Sequence, residues 1–319
     1  MKFPPVEMHK VTTVPLAERR NKVSWTDLSN VPKDDTFFSF LGCLPSILKA
    51  RDLLLLIDDI LTAYRSNKPI VAMLGGHVIK CGLSPLIIAL IQRSLISAVA
   101  MNGAASIHDF EIALVGGTSE EVSEGLSHGS FGMSEETGRL MNEAFLGAVT
   151  RECGMGNALG QKLFDISAPF NEYSVLAACV QYEIPITVHV AIGTDIIHQH
   201  PSADGSSMGE ATYQDFEKFV SVVAQLGEGG ILLNFGSAVL LPEVFLKALA
   251  IAQNLGYNVK NFTTANFDMI QSYRATQNIV KRPSSKGYQF TGHHEIMIPL
   301  LTHIVLGKWR RLFNEADNG

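Results

Sequence analysis

Ile70-Val-Ala-Met-Leu-Gly-Gly-His77 is the stretch on which the reading of the fold turns. Five consecutive apolar residues fit a short strand buried on both faces, the habit of parallel sheets. Gly75-Gly76 breaks the run. From Val78 to Arg93, Leu83, Leu86, Ile87, Leu90 and Ile91 recur at helical spacing, with Pro85 tolerated near the start, so one helix is predicted there. Ile96 to Met101 predicts a second strand. It runs into Asn102-Gly-Ala-Ala-Ser-Ile-His108-Asp109-Phe-Glu111, read as a polar turn. The unit is strand–helix–strand with glycine-bearing turns after both strands. Ligands of open α/β sheets bind outside those strand ends, and a glycine turn feeding a helix offers free N–H groups to phosphate.

Working outward, the pattern repeats. Residues 1–40 mix prolines, charges and isolated apolar residues and read as an extended N-terminal arm over the domain or a neighbouring subunit. Phe37 to Ser66 reads as a helix, as does the stretch from Ser134 to about Cys153. Leu126 to Ser134 reads as a loop, Gly154 to Gly160 as a break, and Ser167 to Cys179 as a further helix. Strands are expected at Pro185–Ala191, Gly230–Gly236 and Val259–Asn266, with helices at Tyr213–Leu226, Leu241–Leu255 and Ile296–Leu306. A long polar connection is expected up to Gly292. Alternating strands and helices predict an α/β class, an open parallel sheet with flanking helices. No composition break divides residues 41–319, so one domain is expected there.

The bulk composition excludes several classes. A hydrophobic fraction of 46% supplies a large core, and a net charge of -6 with no basic stripe argues against nucleic acid. Four widely spaced cysteines without a C-x-x-C pair fit a reduced, cytoplasmic chain. No apolar segment follows Met1-Lys-Phe-Pro-Pro as a signal peptide needs, and no run approaches the ~20 residues of a membrane span.

The candidate site is the set of polar residues after the strands, because such groups converge on one crevice in a parallel sheet. The cofactor-binding candidates are Gly75, Gly76 and His77, then Asn102, Gly103, Ala104, Ser106 and Glu111, then Gly236 and Ser237. The catalytic candidates are His108, Asp109, Asp195 and His200, with His108 and Asp109 as an acid/base pair. Turns and helix caps use the same residue types for purely local reasons. His189, His198 and His200 raise the alternative of metal-assisted hydrolysis, although no residue is assigned as a metal ligand. The common G-x-G-x-x-G fingerprint is absent.

The order of the turns resembles deoxyhypusine synthase from about residue 70 onward. Leu74-Gly-Gly-His-Val-Ile-Lys-Cys-Gly82 is similar to that family's cofactor turn, and Asn102 to Glu111 to its acidic glycine segment. Asn171-Glu-Tyr-Ser-Val to Pro185 resembles the helix leading to its next strand. Asp204-Gly-Ser206 or Gly193-Thr-Asp195 stands in place of its D-G-S loop, and Gly236-Ser-Ala in the region of its later glycine turn. The resemblance implies a Rossmann-like fold, homotetramers, a transferase-type enzyme and NAD at the strand ends. The chain departs from the family where the chemistry sits. Val239-Leu-Leu-Pro-Glu-Val lacks its active-site histidine, and Leu301 falls where its nucleophilic lysine belongs. Deoxyhypusine synthesis is therefore not expected. The expected activity is NAD-assisted chemistry on a small amine or amino acid, by hydride removal from the carbon beside nitrogen. A homologue that binds nucleotide without catalysis is the other alternative. The Asn102–Glu111 turn more weakly resembles the ornithine cyclodeaminase-like domain.

Overall fold

The computed structural model describes residues 2–283 and 286–313. The chain divides into two compact units, Met1–Leu54 and Leu55–Gly319. The first carries short 3-10 turns and a helix α1 (Phe37–Leu41), after which α2 (Leu48–Arg65) begins. Gly42 to Ile47 separate two helices where the sequence predicts one.

The second unit contains a six-stranded sheet among the described residues. Its elements run β1 (Ile70–Leu74), α3 (Gly76–Lys80), α4 (Ser84–Gln92), β2 (Ala98–Asn102), α5 (Gly103–Val115) and α6 (Val122–His128). Then come α7 (Glu135–Arg151), α8 (Met155–Asp165), α9 (Val175–Gln181), β3 (Ile186–His189), α10 (Gly205–Val223) and β4 (Ile231–Phe235). The last are α11 (Leu240–Asn254), β5 (Thr263–Asp268), α12 (Tyr273–Ala275, continuing as a π-helical turn to Lys281), β6 (Lys286–Thr291) and α13 (His294–Phe313).

Every strand pairing is parallel and the order is β3-β2-β1-β4-β5-β6. The chain leaves β1 in one direction through β2 and β3, then crosses back to β4 on the other side. The crevice at that reversal, between the ends of β1 and β4, is the switch point where such sheets bind ligands. The expected open parallel sheet with flanking helices is borne out. On one face, Val71, Met73, Ala98, Ala100 and Leu232 pack with Phe219 and Val223 of α10 and Leu241, Phe245 and Ala248 of α11. Burying each of the larger side chains stabilises the fold by about 1.5–3 kcal/mol.

The structure corrects several local expectations. The stretch Asn102–Glu111 is not a turn: Asn102 caps α5 and the rest is helix. The single helix expected from Val78 breaks at Cys81-Gly82, where Gly82 has φ +73°. The break expected at Gly154–Gly160 is confined to the residues up to Gly154, which precedes α8, and Met155–Gly160 are helix. Gly156 is there for close approach, since a Cβ would fall 2.6 Å from the Ile186 carbonyl oxygen. The expected loop from Leu126 is partly helix α6, and the polar connection before Gly292 holds the strand β6. No helix among the described residues is long and apolar enough to cross a membrane.

Asp215 of α10 holds three elements together. Its Oδ2 accepts from the N–H of Gly156 at 2.8 Å and of Val188 at 2.7 Å. Burial pushes its carboxyl up to about 8. The folded state therefore keeps a proton the unfolded chain gives up, and stability is lost as pH rises toward that value. Burial lowers the pKa of His108, His189 and His198, so near pH 6.5 the unfolded chain binds protons there that the folded one does not, and their contribution rises with pH and opposes this slope. Between pH 6.5 and 8 the Asp215 contribution should fall by about 1–2 kcal/mol, read by urea unfolding as the difference between the parent and Asp215→Asn. Asp215→Asn should flatten that slope; an equal slope in the variant assigns it elsewhere.

Candidate functional site

The switch point is closed at backbone level. The Gly75 N–H donates to the Phe235 carbonyl at 2.8 Å, and the Gly236 N–H to that of Phe267 at 3.1 Å. A Cβ on Gly75 would fall 2.3 Å from the Gly236 oxygen, so the turns after β1 and β4 touch only because both are glycine. Gly236 has φ +68°, and its own Cβ would meet the His294 ring at 2.8 Å. His294 is buried at the start of α13. Its Nε2 lies 3.2 Å from the Phe267 carbonyl oxygen and so carries the proton, while Nδ1 has no hydrogen-bond partner among the described residues. Behind this wall, Asn234 Nδ2 donates to Asn266 Oδ1 at 2.6 Å and to the Ser237 carbonyl at 3.0 Å. Asn266 Nδ2 donates to Gln271 Oε1, and Gln271 Nε2 to the Phe290 carbonyl. The amide oxygen of Asn234 is buried without a hydrogen-bond partner among the described residues.

On the other side of β1, the first turns of α3 and α5 meet. A Cβ on Gly76 would lie 3.0 Å from the Ala104 Cβ and 3.3 Å from His108 Cδ2. Here a cavity of about 720 Å³ opens, lined by Lys80, Ala104, His108, Glu111, Thr118 and Asp195 among others. The loop after β3 carries Asp195 to the start of α5, where a Cβ on Gly103 would fall 2.0 Å from its Oδ2. Burial pushes the Asp195 carboxyl up to about 6, and its Oδ2 has no partner among the described residues. His198 holds this loop from within. Its Nδ1 accepts from the N–H groups of Gly193 and Asp195, leaving Nε2 4.0 Å from Asp195 Oδ2.

His108 is oriented by a relay. The Thr118 hydroxyl donates to Glu111 Oε2 at 2.5 Å, so it must accept from His108 Nδ1–H, 2.7 Å away. That leaves Nε2 of His108 unprotonated. Burial, then the charge of Lys80, lowers its pKa to about 4, so the ring is neutral at physiological pH. Thr137 holds the second Glu111 oxygen at 3.1 Å. Glu111 thus acts on the histidine, although the sequence suggests only a cofactor contact.

Several candidates stand elsewhere. Asp109 is fully buried, and its oxygens accept from Ser174 Oγ at 2.5 Å and the N–H groups of Val175 and Leu176 at 2.8 and 3.0 Å. It anchors the start of α9 and forms no pair with His108. The His200 ring packs over Gly138 of α7 and pairs with Ser202, outside the cavity lining. Asn102 accepts from the Ala105 N–H as a helix cap, and Ser106 donates to the Gly103 carbonyl. Ser237 Oγ accepts from the Leu241 N–H. His189 is buried against Thr187 and the Phe219 ring. It does not come together with His198 and His200 as a metal cluster among the described residues. Lys80, Thr118 and Thr137 went unread in the sequence, since isolated lysines and threonines carry no motif. A second cavity, about 860 Å³, opens around Pro185 and Ile186 at the N-terminal end of β3, away from the switch point.

No protein-family model and no curated protein sequence matches the chain. Solved structures do. A chain from Methanococcus maripaludis S2, described as a conserved candidate LOR/SDH protein, aligns at TM-score 0.51 and 17% identity over 81% of this chain and 69% of its own. The ternary complex of AgrE with ornithine and NAD+ aligns at TM-score 0.55 and 14% identity. That alignment takes in 85% of this chain but 35% of AgrE, so the chain spans about a third of that protein's length. A candidate deoxyhypusine synthase from Entamoeba histolytica aligns at TM-score 0.50 and 11% identity over 85% of this chain and 93% of its own. At these identities the likeness is one of architecture: this chain has a Rossmann-like, deoxyhypusine synthase-like fold.

Proposed function

We propose that the chain binds NAD across the switch point and acts on a small amine or amino acid held in the adjoining cavity. The observation that carries this reading is the paired glycine turn, Gly75 against Gly236, beside a cavity lined by a neutral histidine and by a carboxylate whose Oδ2 has no hydrogen-bond partner among the described residues. The residues present fit a dinucleotide. Gly75, Gly76 and Gly103 put backbone without side chains at the strand ends, and His294 Nδ1 and Asn234 Oδ1 are buried with no hydrogen-bond partner among the described residues. Gly75 to His77, Gly103, Ala104, Gly236 and Ser237 would hold the cofactor, whose chemistry when bound is to accept a hydride. Solved chains of this fold include one bound to ornithine and NAD+, which supports the choice of cofactor and of an amino-acid-like substrate.

The chain's own groups take the remaining tasks. Asp195 lines the cavity and would pair with the substrate ammonium, an attraction worth more in a crevice shielded from water than at a surface. The ammonium would in turn favour the ionised form of that carboxylate. His108 Nε2 would take the proton from the substrate nitrogen, with Thr118 and Glu111 fixing the ring. Transfer to a second amine rather than to water, and assembly as a tetramer, belong to the same proposal.

Gly103→Leu tests the placement. A side chain there meets the Asp195 carboxylate, which lies on a loop and can move, so the fold should survive. Calorimetry should show NAD affinity falling at least about a hundredfold, near 2.7 kcal/mol, with unfolding still cooperative. Equal affinity in the variant removes the cofactor from this position.

A further inference from the structure

We propose that His77, Cys81 and Glu295 form a site for a single divalent transition ion of the zinc type at the rim of the switch point. One ligand atom from each of the three residues lies within 4.8 Å of the other two. His77 stands in the first turn of α3 and Cys81 closes that helix, so the i,i+4 spacing puts imidazole and thiol on one side of it. Glu295 reaches them from the first turn of α13, with its Oε2 3.8 Å from Cys81 Sγ. A tetrahedral zinc bound by sulfur at ~2.3 Å and oxygen at ~2.0 Å would hold those atoms about 3.5 Å apart. The unliganded spacing is thus close to the liganded one.

The donor set is itself selective. Thiolate with imidazole favours zinc over magnesium or calcium, which take oxygen ligands. Three protein ligands leave a fourth position for water or a substrate carboxylate, the pattern of catalytic rather than structural zinc. The scaffold is fixed before any ion arrives. His294, adjacent to Glu295, is anchored to the Phe267 carbonyl, and its ring lies 5.7 Å from that of His77. His293 Nδ1 lies 3.7 Å from Glu295 Oε1 and would steady the carboxylate from outside.

Cys81 binds a metal ion as the thiolate. Binding must therefore expel the thiol proton to solvent as the metal–sulfur bond forms, and affinity should rise with pH. The proposal needs no nucleotide, although it shares His77 with the proposed cofactor site.

Cobalt(II) and zinc(II) titrations of the full chain test it. We expect one ion per chain, a thiolate-to-cobalt charge-transfer band, and release of about one proton when zinc calorimetry is compared between buffers of different ionisation enthalpy. Cys81→Ser should abolish the band, and His77→Ala and Glu295→Gln should each weaken zinc at least about tenfold. His128→Gln, on the exposed end of α6, should leave affinity unchanged. These positions are exposed or half-buried, so thermal unfolding of each variant should match the parent. Absence of the cobalt band in the parent, or one-to-one zinc binding of equal affinity in Cys81→Ser and Glu295→Gln, overturns the site.

Discussion

Replacing Asp109 by alanine is expected to lower the free energy of unfolding by about 4 kcal/mol or more. The side chain is wholly buried and satisfies three donors at the start of α9: the Ser174 hydroxyl and the N–H groups of Val175 and Leu176. Alanine leaves all three facing a void. A buried donor without a partner costs about 1–3 kcal/mol, and water can recover part of this only by entering the space. Asparagine keeps one acceptor oxygen and should lose roughly half as much. Urea unfolding of the two variants measures the difference. A loss below about 1 kcal/mol in the alanine variant would show that α9 finds other partners.

Gly75→Ala carries the second large effect, and its cause is contact rather than conformation. Gly75 has φ -85° and ψ 160°, which any residue adopts. The obstacle is the Gly236 carbonyl oxygen, 2.3 Å from the new Cβ, with its carbon at 2.6 Å. Those atoms are backbone, tied to β5 through the Gly236 N–H bond to Phe267. Relief must come from separating the ends of β1 and β4. We expect about 3 kcal/mol of lost stability or failure to fold, since overpacking of a tight core costs about 1–3 kcal/mol even where side chains can yield. Denaturation measures the first. Where the variant folds, NAD affinity should fall as well, because the reshaped crevice is the proposed cofactor site. A variant as stable as its parent would mean that the two turns can part without cost.

The parallel sheet was legible because its strands are short apolar runs: Ile70–Leu74 and Ile231–Phe235 are buried at every position. β6 was not, because Lys286-Gly-Tyr-Gln-Phe-Thr291 lies at the sheet edge and alternates exposed with buried residues. The glycines at 75, 76, 103 and 236 could be picked out as strand-end residues, but their reasons could not. Gly103 faces Asp195, 92 positions away, and Gly236 faces His294, 58 positions away. His108 and Asp109 illustrate the same limit. Adjacent residues on a helix point about 100° apart, so one enters the cavity while the other supports a neighbouring helix. The sequence places them side by side; only packing separates their roles.

The run of side-chain amides from Asn234 through Asn266 to Gln271, ending on the Phe290 carbonyl, stitches the ends of β4, β5 and β6 into one plate. The opposing wall has a different construction. There the segment bearing Asp195 is a loop, pegged from within by His198 and tied to α7 through Asn142, which donates to the Ile197 carbonyl and to Ser202. A crevice with one jaw of sheet and one of loop can change what it grips without changing how it is built. New substrates would be met by rewriting residues 190–204, while the plate, and the fold that depends on it, stays as it is.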